Sequence, residues 1–239
     1  MKKTLIASTL VLLLFACRKH TSNTEQAPVP LANSTGLVTL YDSTAKPVAN
    51  CGGVTVALNS NAYTATTDSA GKYVFKNIPQ GVYTFTFNKA GYSTHVVYNV
   101  DVQAGATPQT IPATSLYMPS SAGANIASAS LYNSTIQYRV FLGNVPQFYN
   151  SNAVVFLSNS ASVSSTNYII SSYVLSSFTP LPYELNGSFN PYPYFSSDSV
   201  VYFKVYPTYT NASYTDITTG KTVYEGLGKP SAVDSVTIQ

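Results

Sequence analysis

Between Thr66 and Tyr92 the chain alternates short apolar-polar runs with tight reversals, a pattern that leaves room for little except antiparallel β-structure. The residues run Thr66-Thr67-Asp68-Ser69-Ala70-Gly71-Lys72-Tyr73-Val74-Phe75, then Ile78-Pro79-Gln80-Gly81-Val82-Tyr83-Thr84-Phe85-Thr86-Phe87, then Lys89-Ala90-Gly91-Tyr92. Asp suits the first position of a β-turn and Gly accepts positive φ, so residues 68–71 form a turn. Tyr73 and Phe75 then share one strand face, as do Tyr83, Phe85 and Phe87, with Thr84 and Thr86 on the other side. The Ile78-Pro79-Gln80-Gly81 run is a second tight reversal, and Gly91 marks a third. Upstream, residues 36–41 read as a strand, Lys46-Pro47-Val48 as a turn, and Val54, Val56 and Leu58 as the buried side of another strand. Val96, Val97, Val100 and Val102 continue the β pattern downstream.

These residues carry a resemblance. Thr-Asp-x-x-Gly-x-Tyr-x-Phe, then x-Pro-x-Gly-x-Tyr-Thr, then Lys-x-Gly-Tyr is similar to the carboxypeptidase regulatory-like domain. The resemblance covers about 80 residues, and it implies a transthyretin-like sandwich of seven strands over 35–117. It implies no catalytic residue, because the matching positions are turns and core. The domain recurs in bacterial surface lipoproteins and at the front of TonB-dependent transporters. Cys51, before Gly52-Gly53, reads as a small buried residue, with an intermolecular disulfide or a reactive thiol as the other readings.

The front of the chain has a different character. Lys2 and Lys3 precede an apolar run over residues 5–16, the length of a signal-peptide core. A spanning helix needs about 20 such residues. The run ends in Leu14-Phe15-Ala16-Cys17, which resembles the bacterial lipobox, although Phe15 is bulkier than its usual occupant. The resemblance implies a lipoprotein signal peptide over 1–16, cleavage before Cys17 and a lipid on that thiol. The chain's first partner is then a membrane. Arg18 stands where an aspartate retains lipoproteins at the inner membrane of enteric bacteria, so the outer membrane of the cell envelope is expected. Whether the protein faces the periplasm or the surface stays open. Residues 17–34 are polar, include Pro28 and Pro30, and read as a flexible tether.

After a Ser/Pro/Gly-rich link at 119–123, seven strand candidates follow at 126–132, 136–142, 154–157, 168–175, 200–206, 222–224 and 235–238. They predict a second β-sandwich over 118–239. Its last third resembles the end of a fibronectin type III or immunoglobulin-like domain, with residues 201–206 as the penultimate strand and 236–238 as the last. The hallmark tryptophan is missing, as the chain has none. The fold class is therefore all-β, with two tandem antiparallel sandwiches behind a leader and a tether. Residues 178–195 hold four prolines, which disfavour a regular central strand. Within and near this segment, Tyr183, Phe189, Tyr192, Tyr194, Tyr206 and Tyr209 are the candidate ligand-binding aromatics, because flat rings stack on sugar faces. The same rings packing under a loop or at the domain junction is the competing reading. A glycan site predicts Tyr192, Tyr194 and Tyr209 in one exposed patch.

Charged residues make up 9% of the chain. Without Lys2 and Lys3, 10 Lys and Arg stand against 9 Asp and Glu, with no basic cluster in the body. Nucleic-acid binding needs a concentrated positive surface and is not expected. His20 and His95 are the chain's two histidines, so a catalytic triad would have to rest on His95. No nucleophile elbow is present, and no metal or other cofactor is expected from so few His and Cys. Four Asp-Ser pairs, at Asp42, Asp68, Asp198 and Asp234, resemble the O-glycosylation acceptor of Bacteroidota and equally suit ordinary turns. The expectation is a non-catalytic, lipid-anchored binding or adhesion module for a glycan or an envelope protein. The alternative is a structural accessory subunit of an outer-membrane transport or surface complex.

Overall fold

The computed structural model describes residues 28–145, 152–174 and 183–239. The expected leader, Cys17 and most of the expected tether lie outside them. Among the described residues every regular element is a strand, and no helix is long and apolar enough to cross a membrane.

The first sandwich holds β1 (Leu31–Tyr41), β2 (Thr55–Leu58), β3 (Tyr63–Thr66), β4 (Lys72–Pro79), β5 (Gly81–Asn88), β6 (His95–Val102), β7 (Gln109–Thr110) and β8 (Thr114–Tyr117). One sheet runs β3-β2-β5-β6. In the other, β4 lies antiparallel to one side of β1, and β7 then β8 lie parallel along the opposite side. Since β7 and β8 share one flank of β1, eight strands fill seven positions. The expected tether is shorter than 17–34, because β1 already pairs with β4 from Leu31 and buries Ala32 completely. Between the sheets lie Tyr73, Phe75, Tyr83, Phe85 and Phe87, the alternating aromatics of the turn-rich stretch. Their rings meet mostly edge to face at about 6 Å, the geometry aromatic quadrupoles favour. At the first turn the Asp68 carboxylate accepts the N–H groups of Ala70 and Lys72, and Gly71 takes φ +83°. Cys51 is buried in this core, its thiol 3.4 Å from the Val48 carbonyl.

The second sandwich holds β9 (Gly123–Tyr132), β10 (Thr135–Gly143), β11 (Asn152–Ser158), β12 (Ile170–Val174), β13 (Tyr183–Phe189), β14 (Val200–Thr208), β15 (Ser213–Thr215), β16 (Thr222–Tyr224) and β17 (Asp234–Thr237). A three-stranded sheet, β13-β10-β9, faces a four-stranded one, β12-β11-β14-β17. Two of these strands had no counterpart in the sequence reading. β13 forms in the proline-rich segment because its seven residues contain none of the four prolines, and it takes an edge position. β15 pairs with β16 in a small hairpin of its own. β11 is buried on both faces. Val155 and Leu157 enter the main core, while Val154 and Phe156 enter a second layer with Val163 and Tyr168.

Candidate functional site

The candidate aromatics do not form one platform. Phe189 closes β13 and rests half-buried on the core of the second sandwich. A turn follows, in which the Tyr194 and Phe195 N–H groups both donate to the Pro191 carbonyl. That turn sends Phe195 inward and lays Tyr194 against Phe189, the rings 5.8 Å apart and 28° from parallel. Tyr194 remains 49% exposed. Tyr192 sits beside it, its hydroxyl donating to the Gln239 carbonyl at 2.7 Å. Phe189, Tyr192 and Tyr194 therefore gather at one end of the sandwich. Tyr183 starts β13, but its side chain lies outside the described residues.

Tyr206 and Tyr209 lie elsewhere. Tyr206 packs edge-on against Phe156 at 5.4 Å in the second layer of the four-stranded sheet. Tyr209 follows the far end of β14, and nine residues at about 3.3 Å each separate it from the Tyr194 end. There it lines a narrow crevice with Asp42, Ser43, Tyr117 and Gly226, between the two sandwiches. The patch of Tyr192, Tyr194 and Tyr209 that a glycan site called for is thus divided, because β14 lies between its parts.

The densest polar chemistry is at the junction of the sandwiches. The β15-β16 hairpin and the residues after it reach back to β6. His95 Nδ1 pairs with Glu225 Oε1, across 130 residues of sequence. Glu225 is 1% exposed, and its second oxygen has no hydrogen-bond partner among the described residues. Tyr214 stands edge-on to the His95 ring at 5.3 Å. The Tyr98 hydroxyl donates to Asp216 at 3.3 Å, and Ser93 Oγ accepts the Gly226 N–H. Burial, and then the nearby Asp216 carboxylate, raise the Tyr98 hydroxyl above its ordinary value. Asp216 is held below the usual carboxylate range, first by the Thr218 hydroxyl and then by its N–H. The link at 118–123 is strapped into the same junction. Met118 N–H donates to Tyr41, Ser120 to Gly226 and Ser121 to Ser43.

The junction acts as a clamp, since the His95–Glu225, Tyr98–Asp216 and Ser93–Gly226 contacts join one sandwich to the other and the link is bonded to both. Sequence reasoning placed the acids of the body, Asp216 and Glu225 among them, in solvated turns and did not single out Tyr98; Glu225 is instead buried against His95. Among the described residues no group of three or more His, Cys, Asp or Glu could hold a metal ion. On the second sandwich, Ser128, Ser130, Gln137, Arg139, Asn186 and Ser188 line a shallow polar cleft of about 390 Å³ over β9, β10 and β13. Arg139 pairs there with Glu184 at 2.9 Å.

Residues 35–114 match the carboxypeptidase regulatory-like domain family. No curated protein matches the chain. Among solved structures it is similar to a DUF3823 family protein from Bacteroides ovatus ATCC 8483, at 14% identity and a TM-score of 0.36, over 88% of this chain and 100% of that one. It is also similar to a candidate carbohydrate binding protein from Bacteroides uniformis ATCC 8492, at 12% identity and a TM-score of 0.35, over 87% of this chain and 100% of that one. A type II cohesin–X-dockerin interface mutant from Acetivibrio cellulolyticus aligns with 37% of this chain at 22% identity and a TM-score of 0.32. The chain spans 58% of that neighbour's length. None of these likenesses bears on ligand or activity. The family match falls on the turns and core that carry the resemblance read from the sequence, and the first sandwich, over residues 35–114, is a carboxypeptidase regulatory-like domain.

Proposed function

We propose that this chain is a non-catalytic, lipid-anchored envelope protein that binds a glycan at the end of its second sandwich remote from the anchor. Lipid on Cys17 holds it, and the outer membrane is its site. Topology supports the arrangement. β1 runs from Leu31, where the tether enters, to Tyr41 at the junction. β9 runs from Gly123 at the junction away to Tyr132, and Phe189 pairs with Ile136 beside that far hairpin. The observation that carries the reading is the Phe189–Tyr194 stack at this remote end, with half of Tyr194 open to solvent. An exposed ring supported from behind by another offers a flat face to a sugar ring. The three-against-four strand order also suits a fibronectin type III-like module, a fold that displays loops at its ends.

The test is retention of the full chain on a polysaccharide panel. Tyr194→Ala is expected to weaken retention roughly tenfold, the value of a stacking contact of about 1.4 kcal/mol. Tyr206→Phe, inside the second layer, leaves it unchanged. Absence of retention on every polysaccharide sinks the glycan reading. The accessory-subunit reading then takes its place, supported by one observation. Among the described residues β13 pairs on one side alone, with β10, so its other edge could extend a partner's sheet.

A further inference from the structure

The outward side of the β4-β1 sheet in the first sandwich combines exposed aliphatic residues with lysines. On it Leu31 is 55%, Leu37 50% and Val74 39% exposed. Lys72 pairs directly with Leu37 across the strands, Val74 pairs with Thr35, and Lys76 follows on the same strand. No acidic residue occurs anywhere in β1, β4, β7 or β8. Alongside, an apolar groove of about 390 Å³ opens between Leu37 and Pro112 where β7 gives way to β8. The equivalent flank of the second sandwich carries Ser, Gln and Asn with a neutralising Arg139–Glu184 pair. Exposed aliphatics interleaved with lysines, and no carboxylate among them, make a surface complementary to lipid: apolar side chains for the acyl boundary and ammonium groups for anionic headgroups.

We infer that this β4-β1 face of the first sandwich lies against the membrane. The inference rests on the lipid anchor proposed above, and the position of the chain's entry favours this occupant over a protein partner. The described chain enters at residue 28 and reaches Leu31, on this face, three residues later. About eleven residues separate residue 28 from Cys17, a reach of roughly 37 Å at most. Anchoring at Cys17 therefore holds the face within a short distance of the bilayer at all times. A weak interfacial preference is enough to seat it, because tethering raises the effective concentration. The lysines Lys72 and Lys76 face the headgroups, while Leu31, Leu37 and Val74 enter the interface between them.

The chain contains no tryptophan, so one introduced indole reports its own surroundings. The full lipidated chain carrying Leu37→Trp is reconstituted on phosphatidylethanolamine–phosphatidylglycerol vesicles, with brominated acyl chains in a parallel set. A Ser130→Trp chain serves as the control on the second sandwich, and Val74→Trp replaces Leu37→Trp if that variant does not fold. Both chains are expected to float with the vesicles. Bromine should lower the Leu37→Trp fluorescence roughly twofold and leave Ser130→Trp unchanged, as interfacial burial of the first site requires. Adding Lys72→Glu and Lys76→Glu should restore the fluorescence without loss of flotation. A floating Leu37→Trp chain that bromine does not quench overturns the inference and leaves the anchor standing. A chain that does not float refutes the anchor, and the membrane-facing surface with it.

Discussion

Each sandwich solves the same local problem in the same way. A bulky buried tyrosine sits directly across the strands from a glycine: Tyr73 opposite Gly36, and Tyr138 opposite Gly187. A Cβ at either glycine would overlap the tyrosine ring, so the glycine makes the space the ring fills. Burial raises the Tyr138 hydroxyl to about 12 and pushes the Tyr73 hydroxyl further up. Gly187→Ala should therefore cost about 1–3 kcal/mol in denaturant unfolding, the range for overpacking a core. Combining it with Tyr138→Leu should cost less than the two single changes together, by about 1 kcal/mol, since the residues are in contact. Strict additivity would refute the pairing. The two tyrosines differ in one respect. The Tyr73 hydroxyl is buried with no hydrogen-bond partner among the described residues. Tyr73→Phe removes an unpaired polar group and should leave stability unchanged or raise it by up to about 1 kcal/mol. A loss of more than that would show that the hydroxyl has a partner in solution.

Among the elements, the order of the β15-β16 hairpin depends on a titrating group. Asp216 accepts from the Thr218 N–H, from the Thr218 and Thr219 hydroxyls and from Tyr98 across the junction. Its carboxyl is held below the ordinary value, so the folded hairpin favours the charged form. That contribution is fully present above about pH 4, the unfolded value, and is lost as pH falls through the lowered folded value. Hydrogen exchange at the Thr218 amide should quicken as the pH drops below about 4, beyond the intrinsic rate. Asp216→Asn should abolish that step, and a step that survives the substitution would place its origin elsewhere. This hairpin is also what the sequence showed least. Its second strand was read at 222–224, but its first, over Ser213–Thr215, is too short for an alternation to register, and its partners across the junction lie more than a hundred residues away. Within the first sandwich the alternating aromatics and the Asp68–Gly71 turn were legible because the interactions that fix them are local. β13 was hidden by the prolines that flank it. The scatter of Tyr194, Tyr206 and Tyr209 could not be read, because spacing along a chain does not reveal which end of a strand each residue occupies.

On the scale of the whole molecule, the two sandwiches are joined by more than a linker. The link at 118–123 is hydrogen-bonded to both sides, Ala122 is buried within it, and the hairpin crosses back to β6. A flexible pair of domains would unfold in two independent steps, whereas this clamp couples them. In the His95–Glu225 pair the carboxylate is almost fully buried, and one of its oxygens has no hydrogen-bond partner among the described residues. The pair therefore specifies the docking more than it stabilises it. A buried carboxylate deprived of its partner is costly, while an apolar pair in the same space is often neutral or better. His95→Ala should thus lower stability by about 3 kcal/mol, and His95→Leu combined with Glu225→Leu should recover most of that loss. Calorimetry should show one transition for the native chain and two for His95→Ala, since the substitution weakens the junction and leaves the core of each sandwich intact. A single unshifted transition in His95→Ala would mean that the backbone straps hold the junction without the His95–Glu225 pair. Recovery in the double variant with the single transition restored would show that the polar pair sets the geometry of docking and that packing supplies its strength.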